Sequence, residues 1–394
     1  MTEYRKKEGG FSEDLAFLKK HTEIIVLQEG KSALAIAPQY QGRVMTSTTN
    51  LFEGNGFGWI NKKVVEAGFL TKEECKGRIE NQIYVFGGEE RFWLGPEGGQ
   101  FSIFFKPGDT FEFSNWKTPA VIDTDAFTLV SKIKSTAKFK HSCELMNKSG
   151  TIFKMGIGRT VTILNKETLE TIIKKELSDK IDFVGYQTNN QITNIGEKPW
   201  VSETGLPSIW MLGMYNPSPQ TTVVIPFLEG NESELGEKVN DTYFGKVPKE
   251  YLDVKEDVLF FKGDGTKRSK IGVNPKRTKG VAGSYDAAGR VLTLVTYNKQ
   301  EAPNGYVNSA WEFHEKPYAG DVLNAYNDGS PEPGVPPMGP FYELETSSPA
   351  AALKPNETMI HIQTTIHLQG EEKELNEIAI KTLGVGLEEI MKSL

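Results

Sequence analysis

Short runs of alternating apolar and polar residues dominate the hydrophobic pattern of this chain. The runs are rich in Val, Ile, Thr, Phe and Tyr and are bounded by Gly, Pro, Asn and Asp, which is typical of β-strands separated by turns. The pattern predicts strands over residues 24–28, 32–37, 42–48, 100–105, 126–133, 137–145, 158–164, 221–227, 257–261, 290–298 and 306–314. Two more strands are predicted within residues 341–368, on either side of a proline-containing turn.

Helical spacing is confined to a few segments. Residues 12–20 predict a short helix with Ser12 as its N-cap, within an N-terminal helical lead over residues 1–22. Residues 166–178 predict another helix. Apolar residues also recur at roughly helical spacing over residues 372–393, which predicts a C-terminal helix packed against a sheet edge or a second copy of the chain.

The order of these elements indicates the fold class. The strands are not separated by regular helices, which argues against a parallel sheet built from βαβ units. We therefore expect a mostly β protein with a few covering helices. The charged, turn-rich segment 228–256 fits an inserted loop as well as a domain boundary, and large β-sandwiches often form one unit. We expect residues 1–394 to form a single large β-sandwich domain.

Composition narrows the classes of function. The chain has 394 residues, 38% of them hydrophobic, which is ample for a large core. Its formal net charge is −7 and it has no run of Lys and Arg, so we do not expect it to bind nucleic acid or a membrane surface. No apolar run reaches the roughly 18–20 residues of a membrane span. The two cysteines are too few for a disulfide framework or a zinc cluster.

The N-terminus bears on the cellular compartment. It is polar and lacks the apolar core of a signal peptide, so the chain as written is expected to be cytoplasmic. If Met1 replaces a cleaved signal, the protein is periplasmic instead. The sequence predicts no cofactor and no residue as a metal ligand, and it leaves open both the oligomeric state and a metal ion at the face that carries Glu343 and Glu345.

Two glutamates in "FYELETSSP" are the first candidates for chemistry. Alternate residues of a strand share a face, so Glu343 and Glu345 point the same way, with Cα atoms about 6.5–7 Å apart. A dry core does not hold two carboxylates unless they are paired. The alternatives are a solvated face, pairing with Arg or Lys, or a cleft in which one carboxylate is a general acid or base. A cation bound between them is a competing explanation.

The next strand, "MIHIQTTIH", alternates cleanly. It places His361, Gln363, Thr365 and His367 on one face and its isoleucines on the other. We expect His367 to lie on an outer face. His361 is a candidate for contact with a ligand.

Other segments supply further candidates. Glycines flank Glu97 in "RFWLGPEGGQFS", so a tight loop can bring Glu97 and Arg91 against a ligand, although a plain hairpin loop is the alternative. Trp210 is either a platform for a sugar face or a core aromatic. In "FKGDGTKRSKIG", Asp264 and Arg268 are candidates for binding polar or anionic groups, and a simple turn is the alternative.

A dense polar cluster precedes the Glu343 strand. Residues 308–331 combine amide, acidic and aromatic side chains, as expected of a pocket for a hydroxyl-rich ligand, and the candidates there are Trp311, His314, Asn324 and Asn327. The Pro- and Gly-dense segment 328–340 is expected to shape the rim of the site. Metal-ligand spacings, a nucleophile elbow and a phosphate-binding loop are absent from the sequence.

The segment "LETSSPAAALKPNETMIHIQTTIHL" resembles the C-terminal end of aldose 1-epimerases (galactose mutarotases). Glu345 and Thr346 match the E-T step that carries the catalytic glutamate of that family, and Leu353, Pro355 and Glu357 match its L-x-P-x-E turn. Asn replaces the usual glycine within the turn, and Asn is the next-best residue at a positive φ. The resemblance implies a β-supersandwich, a carbohydrate ligand and Glu345 as the general base.

The whole chain also resembles an uncharacterised bacterial family of the galactose-mutarotase-like superfamily. The strings "RFWLGPEGGQFS", "ETGLPSIWMLGM" and "GDVLNAYNDG" carry this second resemblance, which implies no assigned activity. Two departures from the mutarotases stand out. Glu97 lies where their first histidine would be, and their N-H-x-Y-F-N motif is missing.

These observations lead to one functional expectation. We expect a galactose-mutarotase-like β-supersandwich that acts on the anomeric centre of a sugar, with Glu345 as base and Glu343, Glu97 or His314 assisting. The alternatives are a non-catalytic carbohydrate-binding module and a lyase or hydrolase that acts on a modified sugar. Arg91, Glu97, Asp264, His314, Asn327, Glu343 and Glu345 are expected to converge on one cleft.

Overall fold

β-Strands provide most of the regular structure. The computed structural model describes residues 10–84, 87–332 and 334–394. Within them, strands β1 to β18 are, in chain order, Ile25–Glu29, Ser32–Ala37, Arg43–Thr48, Glu90–Gly95, Thr128–Lys132, Thr136–Met146, Ile152–Ile163, Ile181–Asn194, Ser208–Tyr215, Thr221–Pro226, Leu252–Val254, Val258–Lys262, Ser269–Val273, Val281–Asp286, Val291–Tyr297, Leu323–Asn327, Tyr342–Ser347 and Thr358–Gly370.

The helices are short and lie between or beside the strands. Helices α1 to α8 of the described residues are Phe11–His21, Lys62–Ala67, Lys72–Cys75, Ala120–Asp123, Lys166–Ile173, Glu232–Leu235, Glu372–Leu383 and Leu387–Lys392. Two 3-10 helices are Pro38–Tyr40 and Ile79–Asn81. No helix in this part of the chain combines the length and apolar character needed to cross a bilayer.

The strands form two antiparallel sheets. The first has eight strands in the order β1-β2-β3-β4-β9-β17-β16-β13, and the second has ten in the order β11-β12-β10-β14-β15-β18-β8-β7-β6-β5. Strands make up 36% of the chain and helices 16%. The expectation of a mostly β protein with a few covering helices is confirmed.

The core lies between the sheets and includes a polar layer. Arg159 of β7 pairs with Glu90 of β4 at 3.0 Å, and both side chains are fully buried. On β18, the polar face that carries His361 and His367 points into this layer, while Ile366 packs against the C-terminal helices. The expected outer position of His367 is wrong, because its Nε2 pairs with the buried Glu89 carboxylate at 3.1 Å and so needs no water.

The helical predictions hold with four corrections. Helix α1 follows Gly10, and Ser12 does not cap it. The first nine residues of the expected helical lead lie outside the described part of the chain. The predicted helix over residues 372–393 is two helices, since Gly384 ends α7 in the left-handed conformation at φ 78°. Both helices pack against the face of the ten-stranded sheet, with α7 over β10, β14 and β18, and not against a sheet edge as one alternative predicted. The segment 166–178 is helical only to Ile173.

Two strand predictions are wrong. Residues 100–105 and 306–314 form irregular loops. Several of their apolar side chains are buried although they lie in loops, for example Phe104 and Phe105, and this burial accounts for part of the β-like pattern. Phe313 of the second loop is exposed. The turn before β18 behaves as expected, with Asn356 at φ 67°.

Candidate functional site

Strand register assembles a polar surface on the outer face of the eight-stranded sheet. Residues paired across antiparallel strands share a face. Arg91 of β4 pairs with Leu212 of β9, which pairs with Glu345 of β17, which pairs with Asn324 of β16. These residues therefore form one row on that face.

A second row lies one step along the strands. Met214 of β9 is opposite Glu343 of β17, which is opposite Tyr326 of β16, which is opposite Lys270 of β13. Glu343 and Glu345 lie on the same face, as strand alternation predicts. Four strands from distant parts of the sequence thus bring two carboxylates, Lys270 and Arg91 together.

Loops cover this face and enclose a cavity of about 160 Å³. The charged residues of its lining are Arg91, Glu97, Arg268, Lys270, Glu343 and Glu345. The aromatic residues of its lining are Trp93, Phe113, Trp116, Trp210, Phe244, Trp311, Tyr326 and Phe341. Met338 from segment 328–340 also lines the cavity, so that segment does contribute to its wall.

Glu345 is held through one oxygen only. Its Oε2 accepts hydrogen bonds from Lys270 Nζ at 2.9 Å and from Trp210 Nε1 at 3.0 Å. Its Oε1 is buried and has no hydrogen-bond partner among the described residues. A buried carboxylate oxygen without a donor costs about 1–3 kcal/mol or more, so such an atom is notable in a cavity wall.

Lys270 supplies the positive charge beside Glu345. Its ammonium also lies 4.9 Å from the centre of the Trp210 ring, and its side chain is 11% exposed. Burial lowers the pKa of Lys270, but the carboxylates of Glu345 and Glu97 outweigh that effect and raise it. Lys270 is therefore a permanent cation of the site.

Glu343 is paired differently. Its Oε1 accepts a hydrogen bond from the Arg91 guanidinium, which also lies 5.0 Å from the centre of the Trp93 ring. Burial raises the pKa of Glu343 to about 7, the Arg91 charge opposes this rise, and the Glu345 charge adds to it. Glu343 therefore changes its protonation near neutral pH.

Glu97 approaches from the covering loops. Its Oε1 accepts a hydrogen bond from Trp311 Nε1 at 3.1 Å, and its backbone N–H donates to Ser309 Oγ at 3.1 Å. Burial raises the pKa of Glu97. The next residue, Gly98, lies so close to the other loop that a Cβ atom there would be 2.1 Å from the Ala310 carbonyl oxygen. Glycine at this position lets the two loops pack together and carry Glu97 into the cavity.

The lining also offers unused donors. Arg91 Nε, Trp93 Nε1 and Trp116 Nε1 are buried and have no hydrogen-bond partner among the described residues. These three donors and the acceptor Glu345 Oε1 all belong to residues that line the cavity. The aromatic walls suit the apolar face of a small ring, and the polar atoms suit its substituents.

The structure brings together seven of the predicted site residues. They are Arg91, Glu97, Trp210, Arg268, Trp311, Glu343 and Glu345. Five others lie elsewhere, so the expected convergence is wrong for Asp264, His314 and Asn327.

Each of these five has a local structural partner. Asn327 points away from the cavity and donates to Asp264 Oδ1 at 3.0 Å, which fastens the turn before β13. His314 lies within the covering loop, with Nε2 3.0 Å from the Ala310 carbonyl oxygen. Asn324 shares the outer face but lines a separate cavity of about 20 Å³.

His361 occupies the interior of the sandwich. Its Nε2 lies 2.7 Å from Thr346 Oγ1, on the face of β17 opposite Glu345. Burial lowers the pKa of His361 to about 3, so the ring is neutral. This histidine links the two sheets and is not part of the cavity lining.

Sequence reasoning missed Lys270 as a member of the site. The signal was available, because Lys270 is the charged residue within an otherwise small or apolar strand, Ser269–Val273. Its partner Glu345 is 75 positions away, so no local pattern joins them. Within residues 10–84, 87–332 and 334–394, no group of three His, Cys, Asp or Glu side chains could hold a metal ion.

Comparison with known proteins identifies a family but no activity. A model described as a family of unknown function (DUF6786) matches residues 9–394. No curated protein matches the chain.

Solved structures show similarity at low sequence identity. The Slr1438 protein from Synechocystis sp. PCC 6803 has a TM-score of 0.49 at 11% identity, with 89% of this chain and 96% of that chain covered. A putative aldose 1-epimerase from Escherichia coli K12 has 0.48 at 11%, with 89% and 99% covered. A galactose mutarotase-like protein from Lactobacillus casei ATCC 334 has 0.46 at 12%, with 88% and 100% covered. Similarity at this level establishes no shared activity or site residue.

Proposed function

The chain belongs to the family of unknown function DUF6786, and we propose from the chemistry of its cavity that it is a carbohydrate-active protein with acid/base chemistry at the anomeric centre of a sugar. The observation that carries this proposal is the arrangement of Glu345. One carboxylate oxygen is held by Lys270 and Trp210, and the other is buried and has no donor within the described part of the chain. A hydroxyl group of a ligand supplies the missing donor.

The proposed reaction is interconversion of anomers. Glu345 Oε1 accepts the proton of the anomeric hydroxyl, the C1–O bond of the ring breaks as C1 becomes a carbonyl, and an acid protonates the departing ring oxygen. After rotation about C1–C2, the reverse steps close the ring. Lys270 keeps the Glu345 carboxyl group oriented through its hydrogen bond to Oε2.

Glu97 is our candidate for the acid. It approaches from the loop side, whereas Glu345 stands on the sheet, so the two carboxyl groups approach a bound ring from different directions. Burial raises the pKa of Glu97, which favours the protonated form that an acid needs. The resemblance to mutarotases also aligns Glu97 with their first histidine. Glu343 and Arg91 then serve to hold hydroxyl groups of the ring.

A direct test is exchange between anomeric protons measured by NMR in the presence of the protein. The panel is D-galactose, D-glucose, D-galacturonate and D-glucuronate. We expect acceleration for at least one sugar, and a loss of that acceleration by a factor of about 10²–10⁴ in Glu345→Gln, because a general base contributes about that much. Glu97→Gln should lose rate as well.

The matched control is Glu301→Gln, which changes an exposed glutamate outside the cavity. It should behave as wild type. Unchanged exchange in Glu345→Gln, or absence of binding by every sugar of the panel, would contradict the proposal.

One observation favours a second candidate, a non-catalytic sugar-binding protein. Glu343 and Glu345 are both ion-paired and almost fully buried, at 6% and 1% exposure, as expected of fixed hydrogen-bond acceptors. In that case the wild-type protein binds a sugar but does not accelerate anomeric exchange.

A further inference from the structure

Two of the three positively charged side chains that line the cavity form ion pairs with glutamates. Arg91 is paired with Glu343, and Lys270 is paired with Glu345. Arg268 also lines the cavity, yet it forms no ion pair or side-chain hydrogen bond within the described residues. Its charge is therefore available to a ligand.

Arg268 is nevertheless held in a defined position. It directly precedes β13, two residues before Lys270, and its guanidinium carbon lies 3.9 Å from the centre of the Phe244 ring. A guanidinium stacked by its face on an aromatic ring keeps the N–H groups at its edge free. Two parallel N–H groups match the two oxygens of a carboxylate.

The lining contains two ion pairs and a third cation, Arg268, that has no ion-pair partner within the described residues. The pairs Arg91–Glu343 and Lys270–Glu345 are neutral when both glutamates are ionised. The positive charges of Lys270 and Arg268 oppose the effect of burial on the pKa of Glu97, and Arg268 also acts on the buried Asp328. Neither acid forms an ion pair with Arg268 within the described residues, so its guanidinium is the one in the lining that a ligand carboxylate can engage directly.

We propose that the substrate is a sugar that carries one negatively charged substituent, a carboxylate as in a uronic acid, and that Arg268 binds this substituent. The inference rests on the proposed function, since it names the substrate class of the same cavity. A single guanidinium without an ion-pair partner matches one carboxylate group. The planar guanidinium favours a carboxylate over a sulfate.

Titration calorimetry at one fixed salt concentration tests the inference with matched pairs of ligands. The pairs are D-galacturonate with D-galactose and D-glucuronate with D-glucose, and D-galactose 6-phosphate and D-galactose 6-sulfate form two further arms. In at least one pair, we expect the wild-type protein to bind the acid at least about tenfold more tightly than the neutral sugar, which corresponds to about 1.4 kcal/mol.

Variants at Arg268 should remove this preference. In Arg268→Gln the ratio within the pair should fall to about twofold or less, and Arg268→Lys should retain a smaller preference than wild type because the charge stays and the paired donors are lost. The matched control is Lys267→Gln, which removes one positive charge from the neighbouring residue; Lys267 stacks near Tyr251 and does not line the cavity. It should keep the wild-type ratio.

Several outcomes would overturn the inference. They are equal affinity for acid and neutral sugar, a preference that survives in Arg268→Gln, an equal loss in Lys267→Gln, and tighter binding of the phosphate or sulfate ester than of the uronate. Binding of neutral sugars alone would leave the proposed function standing, whereas binding of no sugar would contradict both. Thermal unfolding of each variant establishes that it is folded.

Discussion

Glu343 and Glu345 share a strand face, but their charges are held in different ways. One oxygen of Glu345 accepts hydrogen bonds from a lysine and an indole, and the other has no partner among the residues that the structure describes. Glu343 has Arg91 as partner and a pKa raised by burial to about 7. One strand thus presents a carboxylate held by a lysine and an indole next to a carboxylate whose pKa is raised by burial, so the two groups are suited to different roles in one site.

The raised pKa of Glu343 predicts a pH dependence of stability. The ordinary value is 4.5 and the folded value is about 7, so the folded state holds a proton that the unfolded state releases between these two pH values. The free energy of unfolding should therefore fall as pH rises through that window, by at most about 3 kcal/mol from this group.

Glu343→Gln should flatten this part of the profile, because the amide does not titrate. Denaturant unfolding at pH ~5 and pH ~8 measures the effect as the difference between variant and wild type. Glu301→Gln is the control for removal of an exposed glutamate. Parallel profiles for Glu343→Gln and wild type would show that the carboxyl group is not titrating in this range.

Removal of the Lys270 charge alone should lower the free energy of unfolding substantially. Lys270→Met leaves the buried carboxylate of Glu345 without its cation, and breaking a buried pair in this way typically costs about 3–5 kcal/mol. Adding Glu345→Gln should recover much of that loss, because no buried charge then remains. Urea unfolding of the two single variants and the double variant measures the coupling, and strictly additive effects would mean that the two groups do not interact.

The residue scale also shows what the sequence can and cannot predict. Period-two alternation alone placed Glu343 and Glu345 on one face. The partners Arg91 and Lys270 come from other strands, and only the register of β4, β9, β17, β16 and β13 brings them to the glutamates.

At the scale of elements, neighbouring residues of β17 contribute to two different parts of the molecule, the cavity and the polar layer between the sheets. Glu345 faces the cavity, and Thr346 faces the other sheet, where its Oγ1 contacts His361 Nε2 at 2.7 Å and Gln363 Oε1 at 2.6 Å. The strand therefore connects the site directly to the polar layer that joins the two sheets.

Thr346→Val should lower stability rather than remove a group from the cavity. Valine keeps the shape but leaves the buried His361 and Gln363 without their shared partner, and each unsatisfied buried group costs about 1–3 kcal/mol. The control is Thr160→Val, the same change at a half-buried strand position that has no side-chain hydrogen bond. Chemical denaturation should show a clear loss for Thr346→Val and little change for Thr160→Val; equal effects would contradict this account.

The sequence predicted strands correctly where apolar and polar residues alternate along one segment. The predictions failed where apolar residues are buried by loops that pack against distant segments. The clean alternation of β7 reflects one face on the core, so the sequence revealed its location. Residues 100–105 are equally apolar but fold as a loop, in which Phe104 packs against Trp93 and Trp116. The long strand Ile181–Asn194 was missed because its Asn, Gln and Thr residues face the polar interior layer or the outer surface.

At the scale of the whole molecule, a buried ion pair joins the two sheets beneath the site. Arg159 Nη2 contacts Glu90 at 3.0 Å, Arg159 Nη1 donates to Asn190, and Gln363 donates to the other oxygen of Glu90 at 3.0 Å. Glu90 belongs to the same strand as Arg91, so this layer supports the strand that carries one of the site's cations.

Arg159→Met should destabilise the protein by about 3–5 kcal/mol, since it leaves Glu90 charged or forces it to take up a proton in the core. The double variant Arg159→Met/Glu90→Gln should recover part of this loss. Unfolding by guanidinium chloride measures both. A small loss in Arg159→Met would mean that the pair contributes little to the association of the sheets.

The mostly β architecture followed from the spacing of strands and the lack of regular helices. The cavity could not be predicted from the sequence, because its walls combine the outer face of one sheet with loops from distant segments. These loops contribute Phe244, Trp311 and Phe341. Such a wall depends on long-range packing that no short pattern encodes. His314, Asp264 and Asn327 were grouped with the site by composition, and the fold assigns them to loop and turn contacts instead.

The most direct measurement of the central claim is a crystal structure of Glu345→Gln with a bound sugar, soaked with D-galacturonate and, separately, with D-galactose. The amide keeps the shape of the side chain but is no longer a base, so a bound ring should persist. We predict a ring in the cavity between Trp210 and Glu97, with its anomeric oxygen within hydrogen-bond distance of the side chain at position 345. A sugar bound elsewhere, for example in the cavity of about 510 Å³ beside His367, with the Glu345 cavity empty, would contradict the account.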